Sequence, residues 1–144
     1  MVRIDTMDGL GDTYMELDKF ADAEVIFKQC WMSRKATLGE RDPSTLDSLS
    51  SYAIACVYQD TEEKYTEALD LYNQLLAMQK GVIGSDHPDT LDTMSNMATT
   101  YCKLGRITEA LSMYNECLIG IKIVLGENHP STIMTQNCIN LVDK

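Results

Sequence analysis

A chain of 144 residues is long enough for one domain that buries roughly 70% of its unfolded surface, so it needs no disulfide or metal staple. Its hydrophobic fraction of 44%, with only three prolines, excludes a disordered chain, and no apolar run approaches the length that crosses a bilayer. The formal net charge of −10 argues against nucleic acid and anionic membranes as partners, since both require a basic face. The opening segment from Met1 to Asp8 lacks the apolar run of a signal peptide, so a soluble cytoplasmic protein is expected.

Three residue types keep one register along the chain. Gly39, Gly84 and Gly126 are separated by 45 and 42 positions, as are Pro43, Pro88 and Pro130, and as are Ala23, Ala68 and Ala110. A segment recurring at this interval is one supersecondary unit that buries its apolar face by stacking on copies of itself. The expected product is an all-α solenoid whose working part is a surface. Protein binding is therefore the expected class of function, and no enzyme is expected.

The first predicted helix spans 3–17 and carries Met7, Leu10, Gly11 and Tyr14; the second, 20–37, carries Ala23 and Phe27 and reaches Lys35 before Gly39. The third, 44–59, follows Asp42 and Pro43 and carries Leu49, Tyr52, Ala53 and Cys56, and the fourth, 64–82, carries Ala68 and Tyr72. From Ala53 to Ala68 is 15 residues, whereas Gly11 to Ala23 and Ala98 to Ala110 are each 12, so the second repeat holds three extra residues. These are expected to lengthen the acidic stretch Gln59 to Lys64 into a solvated turn.

In the third repeat His87 precedes Pro88, which suits a first helical position, and Asp89 places negative charge in the positive first turn of a helix over 88–103. Leu91, Met94, Met97, Ala98, Tyr101 and Leu104 form its apolar stripe, and Gly105 marks the turn. A sixth helix, 106–124, carries Ile107, Ala110, Leu111, Met113, Tyr114, Cys117, Leu118, Ile121 and Leu125, with Gly126 as a left-handed C-terminal cap. Lys35, Lys80 and Lys122 each lie one turn before a capping glycine, where a cation favours the helix C-terminus. A seventh helix, 131–142, has Asn140 and Asp143 where the pattern wants Ala and Tyr, which suits a terminal helix with a polar outer face. The first helix has no such device, so the array is either short and self-contained or the C-terminal part of a longer solenoid.

The small residues Gly11, Ala53 and Ala98 on first helices, and Ala23, Ala68 and Ala110 on second helices, mark where two axes approach closely. Leu10-Gly11-x-x-Tyr14 followed by Ala23-x-x-x-Phe27 resembles the tetratricopeptide signature, with Met7 in the place of its tryptophan. Met97-Ala98-x-x-Tyr101 with Ala110-x-x-x-Tyr114 repeats it, and Tyr52-Ala53-x-x-Cys56 with Ala68-x-x-x-Tyr72 carries a weaker copy. The added Leu38-Gly-x-x-Asp-Pro-x-Thr-Leu46 stretch and its counterparts from Ile83 and Leu125 are similar to the long, kinesin light chain type of tetratricopeptide repeat. That resemblance implies a right-handed superhelical solenoid of antiparallel helix pairs, about three and a half repeats in a single array over 1–144: repeats at 1–42, 43–87 and 88–129 and a capping helix at 130–144.

Chemistry is mostly absent. Cys30, Cys56, Cys102, Cys117 and Cys138 are odd in number, lack a Cys-x-x-Cys pair and fall where the stripes want small apolar residues, so they read as buried reduced thiols. His87 and His129 occupy one turn position that Asp42 fills in the first repeat, which is capping chemistry and not metal ligation. With no phosphate loop, nucleophile elbow or zinc spacing, no catalytic residue, cofactor or metal is assigned.

In tetratricopeptide proteins the first helices line a concave groove that holds a partner peptide, and the resemblance implies the same role for Asp5, Asp8, Asp12, Asp47, Ser51, Ile54, Tyr58, Asp92, Asn96, Thr99 and Lys103. Asn96 matches the groove asparagine of the family, while Gly9 and Ser51 replace it in the other repeats. Acid dominates the N-terminal half of this face, so a basic or amphipathic protein segment is the expected partner. Two function classes follow: a noncatalytic adaptor or scaffold like kinesin light chain, or the regulatory or sensing segment of a larger signalling enzyme or receptor, within a longer repeat protein or assembly.

Overall fold

The computed structural model describes residues 4–142, with side chains from Met7 onward. Seven α-helices occupy it: α1 Ile4–Glu16, α2 Phe20–Leu38, α3 Pro43–Tyr58, α4 Glu62–Val82, α5 Pro88–Lys103, α6 Ile107–Leu125 and α7 Pro130–Val142. No strand occurs among the described residues. Every boundary lies within two residues of its expected place. The chain forms two compact units, one up to Met78 and one from Gln79 onward, so α4 contributes to both.

Within the first unit α1 packs on α2 and α2 on α3. Ala23, Ala53 and Ala68 are fully buried there, with Phe27, Cys30, Leu49, Tyr52, Tyr72 and Leu75 around them. Gly11 shows why a small residue is required: a Cβ built on it would stand 2.5 Å from Phe27 Cε1, closer than side chains approach. Leu10 departs from the motif. It is 41% exposed, whereas Tyr52 and Met97 at the matching positions are buried. In the second unit α5 packs on α6 and α6 on α7, and Ala98 and Ala110 are fully buried beside Met94, Met97, Tyr114 and Cys117.

The turns within repeats span only 17–19, 59–61 and 104–106. Asp18, Asp60 and Gly105 share one place in them and take φ of 59°, 57° and 74°. The three extra residues of the second repeat do not lengthen its turn, contrary to the expectation. They extend α4 instead: Ala68 is its seventh residue, whereas Ala23 and Ala110 are the fourth residues of α2 and α6. Thr61 Oγ1 accepts from Lys64 N at 3.1 Å, and Glu62 and Glu63 lie in the first turn, which together start the helix early. The added turn packs, with Tyr65 buried and its hydroxyl donating to Asp60.

Between repeats, the turn ends in a side-chain cap. Asp42 Oδ1 accepts from Ser44 N at 2.9 Å, and His87 Nδ1 and His129 Nδ1 accept from Asp89 N and Ser131 N at 3.1 Å. The threonine three residues on ties the same turn: Thr90 Oγ1 donates to the Gly84 carbonyl at 2.8 Å and Thr132 Oγ1 to that of Gly126 at 2.7 Å. Gly39 and Gly126 have φ of 92° and 87° with ψ of 156° and 166°. That region is nearly exclusive to glycine, so these residues turn the chain out of the helix in an extended form instead of making the left-handed cap expected at Gly126.

Candidate functional site

The first two first helices border a hollow of about 190 Å³ lined by Asp8, Asp12, Phe27, Arg34, Asp47, Ser48 and Ser51. Asp8 and Asp12 lie one turn apart on α1, as do Asp47 and Ser51 on α3, so helical spacing brings each pair to one face. Arg34 enters from α2. Its Nη2 lies 2.6 Å from Asp8 Oδ2 and its Nη1 donates to Ser48 Oγ at 2.6 Å, and the side chain is only 11% exposed. A buried guanidinium needs such partners, because its desolvation is otherwise uncompensated. Three carboxylates thus face one guanidinium in this hollow.

Arg34 is not among the residues expected to line the groove, although its signal is present in the sequence. Ala23, Phe27 and Cys30 are buried at steps of four and three, and Arg34 follows at four, so a charge lies on the buried stripe of α2. At the matching places Gln79 is buried and donates weakly to the Asp89 carbonyl at 3.4 Å, and Ile121 is buried.

Farther along α3, Ile54 is half-buried and Tyr58 is exposed, with its ring stacked on Phe20 at 5.2 Å and 21°. Asp5 belongs to α1, and its side chain lies outside the described residues; so does Asp143. The remaining residues of the expected groove are on α5 in the second unit. Asp92 is exposed, and the partial loss of water around its carboxyl, with the charge of Asp89, raises its pKa. Asn96 is half-buried, and its carbonyl accepts from Thr100 Oγ1 at 2.8 Å. Thr99 Oγ1 donates to the Ser95 carbonyl at 3.1 Å and lies 2.9 Å from the Tyr114 hydroxyl, which ties α5 to α6. Lys103 is exposed in the last turn of α5.

The first unit also holds an ion cluster across three helices. Donor atoms of Glu24, Cys56 and Glu67 lie within 4.8 Å of one another, a spacing that would suit a metal. A cation of the protein already fills this role: Lys64 Nζ is 2.7 Å from Glu24 Oε1 and 2.9 Å from Glu67 Oε2. Gln59 Nε2 donates to Glu24 Oε1 at 2.5 Å and the Tyr52 hydroxyl to Glu67 Oε1 at 3.2 Å. Burial opposes ionisation of Glu24, but the hydrogen bonds from Lys64 and Gln59 and the ammonium charge outweigh it and hold the carboxyl below its ordinary range. Burial, then the two carboxylates, pushes the Cys56 thiol up to about 12, which leaves it protonated and a poor ligand. Burial likewise pushes Cys30 up to about 12, reinforced by its hydrogen bond to Asp8, and Cys117 up to about 11. All five cysteines are free thiols, with Cys102 and Cys138 half-buried.

Trp31 received no role from the sequence. Its ring packs on Tyr52 at 5.8 Å and 43°, and Lys35 Nζ stands 5.1 Å from its centroid. Lys35 therefore has a ring contact in addition to its helix-end position. No described helix is long and apolar enough to cross a membrane.

Two tetratricopeptide repeat family models match the sequence, one over residues 3–44 and one over residues 57–118. No curated protein matches it. Among solved structures, the chain is similar to a Podosopora anserina protein described as a kinesin light chain with nearly identical TPR-like repeats, at a TM-score of 0.84 and 24% identity over 97% of this chain and 65% of that one. It is also similar to BtubC (BKLC) from P. vanneervenii, at a TM-score of 0.80 and 17% identity over 96% of this chain and 54% of that one. The chain thus spans less than two thirds of the length of either. The seven helices, the recurring caps and these matches agree: the chain belongs to the tetratricopeptide repeat family and is an all-α protein-interaction repeat module whose fold is similar to that of the kinesin light chain repeats.

Proposed function

We propose that the chain is a noncatalytic adaptor or scaffold that holds a partner's peptide or helix against its first helices, and that the hollow of the first unit takes a basic segment. The observation that carries this reading is the charge of that hollow, where Asp8, Asp12 and Asp47 surround the single guanidinium of Arg34. Arg34 is held by Asp8 and Ser48 and so organises the floor of the hollow. A lysine or arginine entering beside Asp12 and Asp47 gains attraction, whereas an acidic segment meets like charge in a partly desolvated cleft. An apolar residue of the same segment can lie against Ile54 and Tyr58. In the second unit the half-buried Asn96 can hydrogen-bond an extended backbone, flanked on α5 by Asp92, Thr99 and Lys103.

The test is binding of labelled peptides of graded charge to the protein and to its Asp12→Asn, Asp47→Asn double variant. Both side chains are exposed, so the fold should persist. Basic peptides should bind best, weaken with added salt, and lose about tenfold in affinity to the variant. A preference of the unaltered protein for acidic peptides, or an unchanged preference in the variant, would refute the assignment.

A further inference from the structure

In the second unit one surface recurs twice, once covered and once open. The covered copy lies under α6. Glu116 Oε1 meets Lys80 Nζ at 3.0 Å, Cys117 Sγ donates to the Leu91 carbonyl at 3.3 Å, and Gly120 presses so close that a Cβ on it would stand 2.5 Å from Leu91 Cδ2 and 3.5 Å from Asp86 Oδ1. A carboxylate and a glycine four residues apart on one helix thus fit a lysine, a turn residue and a leucine. Forty-two positions on, those three become Lys122, Asn128 and Ile133. They line a single hollow of about 350 Å³ with Glu127, Gln136 and Asn137. Ile133 is 50% exposed where Leu91 is 5% exposed, and the Lys122 ammonium has no carboxylate partner among the described residues.

We propose that this hollow, at the end of α6 and the start of α7, is a docking seat for an amphipathic helix of a partner protein that carries a carboxylate four residues before a glycine or alanine. The carboxylate pairs with Lys122 as Glu116 pairs with Lys80. The small residue lets the helix backbone descend onto Ile133 as Gly120 descends onto Leu91. The covered copy selects the occupant: α6 presents a carboxylate to Lys80 and a glycine to Leu91, and at the seat Lys122 supplies the same attraction, while Asn128 replaces Asp86 and Glu127 replaces Ser85, so the turn carries one acidic residue in either copy. Exposed Met134 and Leu141 on α7 extend the apolar area available to it. The seat is independent of the acidic hollow of the first unit and takes the opposite charge.

The probe is a fluorescein-labelled peptide with the sequence of α6, Ile107–Leu125, titrated into the whole chain. It should bind, and Lys122→Glu should weaken it about tenfold or more, while the peptide bearing Glu116→Lys should recover affinity for that variant. Ile133→Asp should abolish binding. Because α6 itself pairs with Lys80, a dependence on Lys122 reports the open copy. The Glu116→Lys peptide should also bind the unaltered protein less well, a readout that needs no protein variant to fold. No binding of the unaltered peptide, or equal binding to protein with and without Lys122→Glu, would overturn the proposal. So would self-association of the chain that Lys122→Glu removes, which would make a second copy the occupant.

Discussion

Lys64→Met is the sharpest probe of what holds the first unit together. The ammonium touches carboxylates at 2.7 and 2.9 Å, and its loss leaves Glu24 and Glu67 facing each other with oxygens within 4.8 Å. Removing one partner of a buried pair costs about 3–5 kcal/mol and of an exposed pair about 0–1. The side chains of Glu24, Lys64 and Glu67 are 15%, 25% and 35% exposed, so water screens part of the repulsion and the cost should be about 2 kcal/mol. In a chain of this size that lowers Tm by about 4–8 °C. The pH dependence gives a second reading. The Glu24 carboxyl is held low in the folded protein, so its contribution is present above its unfolded pKa and is lost as pH falls through the folded value. Without Lys64 the two carboxylates favour proton uptake, so the variant should recover part of its deficit relative to the parent between pH 7 and about 4.5. Thermal melts of both proteins across that range are the assay. A deficit below about 0.5 kcal/mol at pH 7, or one that does not shrink on acidification, would refute the reasoning.

Two further substitutions test the repeat geometry. Gly11→Ala should destabilise by about 1–3 kcal/mol despite its gain in helix propensity, because Phe27 is buried and cannot yield, whereas Gly9→Ala, with nothing near its Cβ, should stabilise by about 0.5–1; urea midpoints that move in the same direction would contradict the placement. His129→Ala should lose about 1 kcal/mol with its cap, while His129→Asp should change stability by less than about 0.5, since Asp42 makes the same bond. Equal melting temperatures for the two His129 variants would show that the side chain, though placed to cap, contributes nothing.

Register was legible because stacked repeats must keep their small residues where helices cross. Ala23, Ala53, Ala68, Ala98 and Ala110 are all fully buried, as their spacing required. Placement of the three extra residues was not. The spacing from Ala53 to Ala68 shows that three residues are added but not on which side of the helix start they fall; Thr61 followed by Glu62 and Glu63 is a helix start, and three residues are close to one helical turn, so α4 absorbs them with a modest rotation. Lys64 is carried by that rotation from an expected loop into contact with α2. Tertiary partners of this kind have no local signature, since Glu24 and Lys64 lie forty residues apart and look like ordinary surface charges.

The acidic hollow was half legible for the same reason. Spacing placed Asp8, Asp12, Asp47 and Ser51 on the faces of first helices, but charge counting along those faces missed a cation delivered by a second helix. Position matters more than count here. The stripe place occupied by Arg34 is filled by Gln79 and Ile121 in later repeats, so the core contact is preserved in kind while its polarity changes from ionic to polar to apolar. A repeat fold tolerates this because each unit answers only to its neighbours. The residues that break the repeat at a place where the backbone does not are therefore where one repeat can differ in binding from the next: Arg34 under the acidic hollow, and Ile133 with Lys122 at the open seat beside α7.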